Sequence, residues 1–397
     1  MTIALHTLEG TKASTEASQS RRSCDGRSPL LKREMPGLDA LRGIAVLSVV
    51  LYHGLYWNPG ARGGESAALE RLSHAFTFGW LGVNLFFVLS GFLITGILLD
   101  SRGRKNYGKN FYLRRTLRIL PLYVVTLVWL SRVVHITWGY VGLCLFNMAN
   151  LSSYFPVGGS IYRPFWSLAV EEQFYLVWPW VVRRLTLRRL AYVCMAMLVV
   201  CPVLRFLSQM GRPPLGDPHM MTWLIADNLA IGGLIAIFLR SRFATLRNVR
   251  RLTVGLLGLG VVLLGIAVSM HLLHRATPAG AAFQAVPFDV LFAGLVIVAL
   301  LWGDGPQVLW WTTPLRFLGY ISYGMYMFHL FLFDLYDKLL DRSRFVRPTV
   351  MSLQAGLARF VIVFMACVLV CFLSRRYFEE YFLSLKGKLA SGAGRQG

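Results

Sequence analysis

The sequence predicts an all-α, polytopic helical membrane protein of about ten transmembrane helices with both termini cytoplasmic. Three observations carry this. Of 397 residues, 55% are hydrophobic and only 15% are charged, whereas ordinary soluble domains carry about a quarter charged residues. The polar surface is therefore too small to cover the apolar bulk in water. Apolar stretches of 15–24 residues recur along the chain, near the length that threads a ~30 Å hydrocarbon core at ~1.5 Å per residue. Lys and Arg collect in alternate connections between these stretches, as cytoplasmic loops do. The composition also excludes a disordered chain, a collagen-like chain and a disulfide scaffold.

Residues 1–35 are polar, rich in Ser, Thr and Arg, and hold no apolar core of signal-peptide type, so they are expected to form a flexible cytoplasmic tail. A membrane domain at 36–385 follows, with candidate spans at 38–57, 78–99, 111–134, 168–182, 189–208, 221–239, 252–271, 286–302, 317–339 and 354–374, then a second cytoplasmic tail at 386–397. With ten spans, and with Arg114, Arg115, Arg118, Arg132, Arg189, Arg205 and Lys338 near span ends assigned to the segments they adjoin, 28 Lys/Arg fall on the inner side and 11 on the outer, Arg42 and Arg359 being left to the spans. Counting 138–151 as an eleventh span changes the division to 21 and 18 and nearly erases the asymmetry. Ten spans are preferred, and residues 135–167 become one external or re-entrant segment that protein or a water-filled cavity must cover. The net charge of +22 is thus a matter of topology in a multi-pass protein of the cell membrane, with lipid and no nucleic acid as its surroundings. Cys194, Cys201, Cys367 and Cys371 lie in apolar runs, and no CxxC or Cys/His spacing suggests a metal.

Charged residues inside spans are costly, from ~3 kcal/mol upward, and direct attention to function. In LDALRGIAVLSVVLYH, Arg42 and His53 are eleven residues apart, three helical turns plus ~20°, so they share one face about 16 Å apart. Snorkelling explains Arg42 alone and an ordinary hydrogen bond explains His53 alone; their common face favours function. The second span carries Asn84, Ser90 and four glycines suited to close helix contact. In FYLRRTLRILPLY, Arg115 and Arg118 share a face with Arg114 adjacent, a pattern that topology alone accounts for but that also suits bidentate phosphate binding. WSLAVEEQFYLVWPW places Glu171 and Glu172 at the expected outer mouth of the fourth span, pointing to different sides of the helix. Asp227 and His329 are further polar residues within spans, each singly more typical of helix packing than of catalysis.

The blocks PGLDALRGIAVLSVVLYH, GWLGVNLFFVLSGFLI, FYLRRTLRILPLY, WSLAVEEQFYLVWP, LGYISYGMYMFHL and RRYFEEYF resemble, in order and over roughly residues 36–382, the motifs of the acyltransferase-3 family of integral membrane O-acyltransferases. The resemblance implies transfer of an acyl group, such as acetyl, from cytoplasmic acyl-CoA to a hydroxyl acceptor, often a saccharide or lipid-linked saccharide, at or beyond the outer side. Acyl-CoA is then a co-substrate, and no permanently bound cofactor is expected. The family's Arg-x10-His signature falls on Arg42 and His53, and its Arg-x-x-Arg motif on Arg115 and Arg118. Asn84 departs from the family, which often has Asp there. Some members carry an appended extracytoplasmic hydrolase-like domain, for which this chain is expected to have no room.

Acyl transfer from a thioester needs a base for the acceptor hydroxyl near neutral pH, and imidazole suits the task. His53 is the candidate base, or alternatively a transient acyl carrier, with Arg42, Glu171 and Glu172 completing the expected catalytic set. Arg114, Arg115 and Arg118 are the expected ligands of the CoA phosphates. A secondary transporter or lipid flippase is the rival class, since those too are polytopic and bury charges. It predicts internal repeats, and none is visible in the sequence.

Overall fold

A computed structural model describes residues 30–32, 34–57, 66–133, 136–155, 157, 162–211, 215–302, 305–342 and 352–391. Most of the expected N-terminal tail (1–29 and 33) and residues 392–397 of the C-terminal tail lie outside the described residues. Every regular element among the described residues is helical. The α-helices are α1 (Pro36–Leu51), α2 (Ala67–His74), α3 (Leu81–Ser101), α4 (Tyr107–Val133), α5 (Trp138–Leu145), α6 (Phe165–Arg184), α7 (Leu187–Gln209) and α8 (Thr222–Phe238). They continue with α9 (Leu246–Ser269), α10 (Pro278–Phe283), α11 (Val286–Trp302), α12 (Pro306–Trp311), α13 (Thr313–Tyr320), α14 (Ser322–Arg342), α15 (Leu353–Leu373) and α16 (Glu380–Ser391). Two π-helical turns continue α1 and α15, at Tyr52–Trp57 and Ser374–Glu379.

Among the described residues, seven helices are long and apolar enough to cross a membrane: Pro36–Trp57, Leu81–Ser101, Tyr107–Val133, Leu187–Gln209, Leu246–Ser269, Pro278–Trp302 and Leu353–Leu385. The other three stretches expected to span also form helices, but differ in length or polarity. Helix α8 has only 17 residues. Helices α6 and α14 interrupt their apolar sequence with Glu171, Glu172 and Gln173 and with His329, Asp334, Asp337 and Lys338. The stretch 138–151 contributes α5, whose eight residues rise only ~12 Å, well short of a bilayer core. Gln173 of α6 donates to Asn147 O (2.7 Å) and to Asn150 Oδ1 (2.9 Å), tying this short segment into the bundle.

Side-chain hydroxyls start several helices: Thr186, Thr245 and Ser352 accept from Arg189 N, Asn248 N and Ala355 N, satisfying donors that the first turn leaves open. The centre of the bundle is α3, whose apolar window is 78% buried, while that of α9 is 17% buried. Val254, Val261 and Val262 of α9 and Leu369 of α15 face outward, as lipid-facing positions do. Helices α3 and α8 approach so closely that a Cβ on Gly91 would collide with Leu229 O, and one on Gly232 with Val88 O. Gly43 of α1 and Gly319 of α13 make a second close crossing. These small residues set α3 against α8 and α1 against α13 at backbone contact, which fixes the positions from which the polar side chains of α1 and α3 project.

Candidate functional site

Two adjoining cavities follow α1. The first, of about 140 Å³, is lined by His53 and Trp57 of the π turn, Asn84 of α3, Trp166 of α6 and Tyr326 of α14, among others. The second, of about 110 Å³, is lined by Arg42, Ser90, Arg115, Arg118, Glu171 and Tyr323, among others. Val83, Phe87 and Tyr326 line both and form the wall between them. Arg42 and Leu93 also line a third, wider cavity of about 660 Å³ at the start of α1, where Lys32 and Asp100 are found. The three spaces lie in file along α1.

In the first cavity His53 Nδ1 lies 3.0 Å from Val49 O and 3.2 Å from His329 Nε2. His329 Nδ1 in turn faces two carbonyls, Met325 O and Tyr326 O, both at 3.0 Å. Carbonyls only accept, so His329 Nδ1 carries the hydrogen and, in the neutral ring, Nε2 is an acceptor. His53 Nδ1 therefore donates, and its Nε2 keeps a lone pair. His329 is fully buried, 0% exposed, so this tautomer is held by protein and not by solvent. The π turn holds His53 in place: Arg359 of α15 donates to Gly54 O at 3.0 Å and forms a two-bond pair with Asp337 of α14 at 2.9 and 2.7 Å. One-turn π segments often occur at functional sites.

Asn84, where the resembled family often has Asp, donates to Asp289 Oδ1 of α11 at 3.2 Å. Asn228, with its amide nitrogen turned toward Asp289, donates to the same carboxylate and accepts from Asn84. The carboxylate absent from position 84 thus stands opposite it on another helix. Asp227, noted in the sequence as a buried acid, forms a two-bond pair with Arg205 at 2.9 and 2.8 Å, with side chains 4% and 3% exposed.

The sequence groups Glu171 and Glu172 with His53; the structure groups them differently. Glu171 lines the arginine cavity and accepts from Ser90 Oγ at 2.8 Å and Tyr175 OH at 2.9 Å. Arg115 stacks on the Tyr175 ring, its Cζ 4.4 Å from the centroid. Glu172 lines none of the three cavities, and its Oε1 is buried without a partner among the described residues. The physical reason is helical: adjacent residues lie ~100° apart, so only one of the two carboxylates can face α3. Arg42, Arg115 and Arg118 meet in the arginine cavity, Arg42 also pairing with Asp39 at 2.7 Å. Arg114 is exposed and lines none of the three cavities. His329, in the sequence only a polar residue in a span, is the side-chain partner of His53; its Tyr-rich, otherwise apolar surroundings are the available signal.

A sequence profile described as "Acyltransferase domain" (Acyl_transf_3) matches residues 35–376. Among curated proteins, the chain is 32% identical over 330 residues to the Bacillus subtilis (strain 168) protein named "Putative peptidoglycan O-acetyltransferase YrhL", an alignment covering 75% of this chain and 48% of that protein. It is 35% identical over 169 residues to "Peptidoglycan O-acetyltransferase OatA" of Listeria monocytogenes serovar 1/2a, covering 37% of this chain and 24% of that protein. The chain therefore spans half or less of the length of these relatives. No solved structure matches it significantly. With a profile running through the two cavities and nearly every helix, the chain belongs to the acyltransferase-3 family of integral membrane acyltransferases.

Proposed function

We propose that the protein is a ten-span O-acetyltransferase of the cell membrane, with cytoplasmic termini, that moves an acetyl group from cytoplasmic acetyl-CoA to a saccharide hydroxyl presented from the opposite face. The observation that carries this reading is the pairing of His53 with His329 in a cavity that shares its wall with the cavity of Arg42, Arg115 and Arg118. The names of the relatives support acetyl as the group and a saccharide as the acceptor.

In this mechanism the three guanidinium groups hold the CoA phosphates by charge-assisted hydrogen bonds. Glu171 serves the same cavity, fixing Ser90 and Tyr175 and, through the Tyr175 ring, the approach of Arg115. The pantetheine arm carries the thioester to the wall of Val83, Phe87 and Tyr326, where water is scarce. On the other side His53 Nε2 takes the proton of the acceptor hydroxyl as its oxygen attacks the thioester carbonyl. The carbon–oxygen bond forms, the carbon–sulfur bond breaks, and the imidazolium returns the proton to the departing thiolate. His329 Nε2 accepts from His53 Nδ1 throughout and stabilises the charge that develops on His53.

The test is release of CoA thiol from acetyl-CoA by the purified protein in oriented proteoliposomes, with chitooligosaccharide on the face opposite the donor. The wild type is expected to release thiol and yield acetylated sugar, and His53→Ala to do so ~100-fold or more slowly. Rates within about threefold of each other in a properly inserted variant would remove His53 from the mechanism. Turnover that required both substrates on the arginine face would overturn the transfer across the membrane.

A further inference from the structure

The cavity of His53 holds three arginines, and they are not equivalent. Arg205 is neutralised by its two-bond pair with Asp227. The guanidinium groups of Arg163 and Arg275 make no ion pair and no hydrogen bond among the described residues. Each instead lies over an indole: Arg163 Cζ is 4.0 Å from the Trp57 ring centroid, and Arg275 Cζ is 3.5 Å from that of Trp80. Both indoles line the same cavity. Stacking on an aromatic face holds a guanidinium plane while leaving its N–H edge free. Asp217 is the carboxylate that acts on both groups, from beyond ion-pair distance, and it already accepts from His219 N at 2.8 Å.

His219 supplies an independent observation. Its Nδ1 faces the Gln284 amide nitrogen, a donor, at 3.4 Å, so Nδ1 accepts and Nε2 carries the hydrogen. That Nε2 is buried and has no partner among the described residues, although the ring lines the cavity. Burial, together with the Arg275 and Arg205 charges, holds the imidazole down at about 3, so it remains a neutral donor at physiological pH. No carboxylate lines this cavity among the described residues. Two free guanidinium edges and one orphan N–H thus converge on a space with aromatic walls and, among the described residues, no carboxylate in its lining.

We infer that Arg163, Arg275 and His219 form an anion subsite in the His53 cavity, and that the acceptor is a saccharide carrying a carboxylate or phosphate close to the hydroxyl that receives the acyl group. The inference rests on reading this cavity as the acceptor side. Planar guanidinium edges fit either oxyanion in two-bond geometry, while Phe87 and Trp166, which also line the cavity, supply apolar surface for the sugar ring.

The test is calorimetric binding of glucose, glucuronate and glucose 1-phosphate to the detergent-purified full chain without acetyl-CoA. One or both charged sugars are expected to bind the wild type at least ~10-fold tighter than glucose, with affinity falling as salt rises. The two charged arms separate a carboxylate acceptor from a phosphate acceptor. In Arg163→Gln/Arg275→Gln the preference is expected to shrink to less than about threefold, and Arg163→Lys/Arg275→Lys to retain part of it, which excludes a folding artefact. Equal binding of neutral and charged sugars, no binding of either charged sugar, or a preference that survives the double Gln variant would each overturn the inference. A preference abolished by Arg118→Gln but not by the double variant would place the anion in the arginine cavity and overturn it equally. With no donor present, these outcomes leave the acyl-transfer reading untouched; that reading fails separately, on thiol release by His53→Ala.

Discussion

His329 Nε2 lies 3.2 Å from His53 Nδ1, joining residues 276 positions apart in the chain. With His329 Nδ1 committed to two backbone carbonyls, only one direction of hydrogen bonding is left between the rings, and it leaves the lone pair of His53 on Nε2. Replacing His329 by Ala frees His53 to rotate and to change tautomer. A fall in kcat of about 10–100-fold is expected, with KM for acetyl-CoA unchanged. Steady-state kinetics checks both, and an unchanged kcat would make His329 a packing residue only.

Arg115 and Arg118 are expected to hold phosphate through paired N–H groups, which an ammonium cannot reproduce. Lysine at either position should raise the dissociation constant of CoA about tenfold, one bidentate contact being worth roughly 1.4 kcal/mol or more. Calorimetric titration with CoA measures this; unchanged affinity in both variants would return the pair to a signal of topology.

Glu171 accepts two hydroxyl hydrogen bonds in the cavity of three arginines. Glu171→Gln removes a negative charge that competes with phosphate. KM for acetyl-CoA should fall about two- to fivefold while kcat changes less than about threefold, since the like-charge repulsion lost is of order 0.5–1 kcal/mol at a partly hydrated site. A loss of kcat of more than a hundredfold with unchanged KM would instead put the carboxylate among the reacting groups, as the sequence grouping with His53 implies.

Arg359 links Asp337 to the carbonyl of Gly54 beside His53. Arg359→Met leaves the Asp337 carboxylate without that partner, and breaking a buried pair from one side costs about 3–5 kcal/mol. Thermal unfolding in detergent should show a lowered midpoint, and kcat should fall more than KM changes because the π turn loses its support. Arg359→Lys should restore part of the stability and little of the rate, a lysine being unable to serve the carboxylate and the carbonyl in the same geometry.

The ten-span arrangement puts Ser153 and Thr186 on opposite faces of the membrane. Both positions are exposed, so cysteines placed there in a Cys-free background should differ in labelling by an impermeant thiol reagent added outside, with 153 labelled and 186 protected. The reverse pattern would invert the topology.

Helix positions and the arginine cavity were legible in the sequence because they follow from local patterns. Apolar length marks α1, α3, α4 and α9, and a spacing of three puts Arg115 and Arg118 on one face. Helices α6 and α14 break that apolar pattern for a physical reason: Glu171, His329 and Asp337 point into the bundle, where polar residues have partners. Counting from an apolar run at 168 sets Glu171 at the mouth of a span and says nothing of its contact with Ser90 of α3, which the packing of the two helices creates. The contact of His53 with His329 has no local signature, since nothing periodic connects two rings so far apart in sequence. The π turn is likewise a product of packing around Gly54, which an added Cβ would drive into Phe333 and Phe360.

The pairing of Arg205 with Asp227 also governs how the chain enters the bilayer. Arg205 lies on Leu187–Gln209 and Asp227 on Thr222–Phe238, so the first helix emerges from the ribosome while its counter-charge is still to be synthesised. A lone arginine carries ~3 kcal/mol on insertion scales, and a lone aspartate a similar amount. Only the segment 210–221 separates the two helices, short enough for them to leave the translocon as one hairpin with the charges already cancelled. A nascent chain cut just after residue 221 should consequently insert Leu187–Gln209 less efficiently than one cut after Phe238, making the second helix a chaperone in cis for the first.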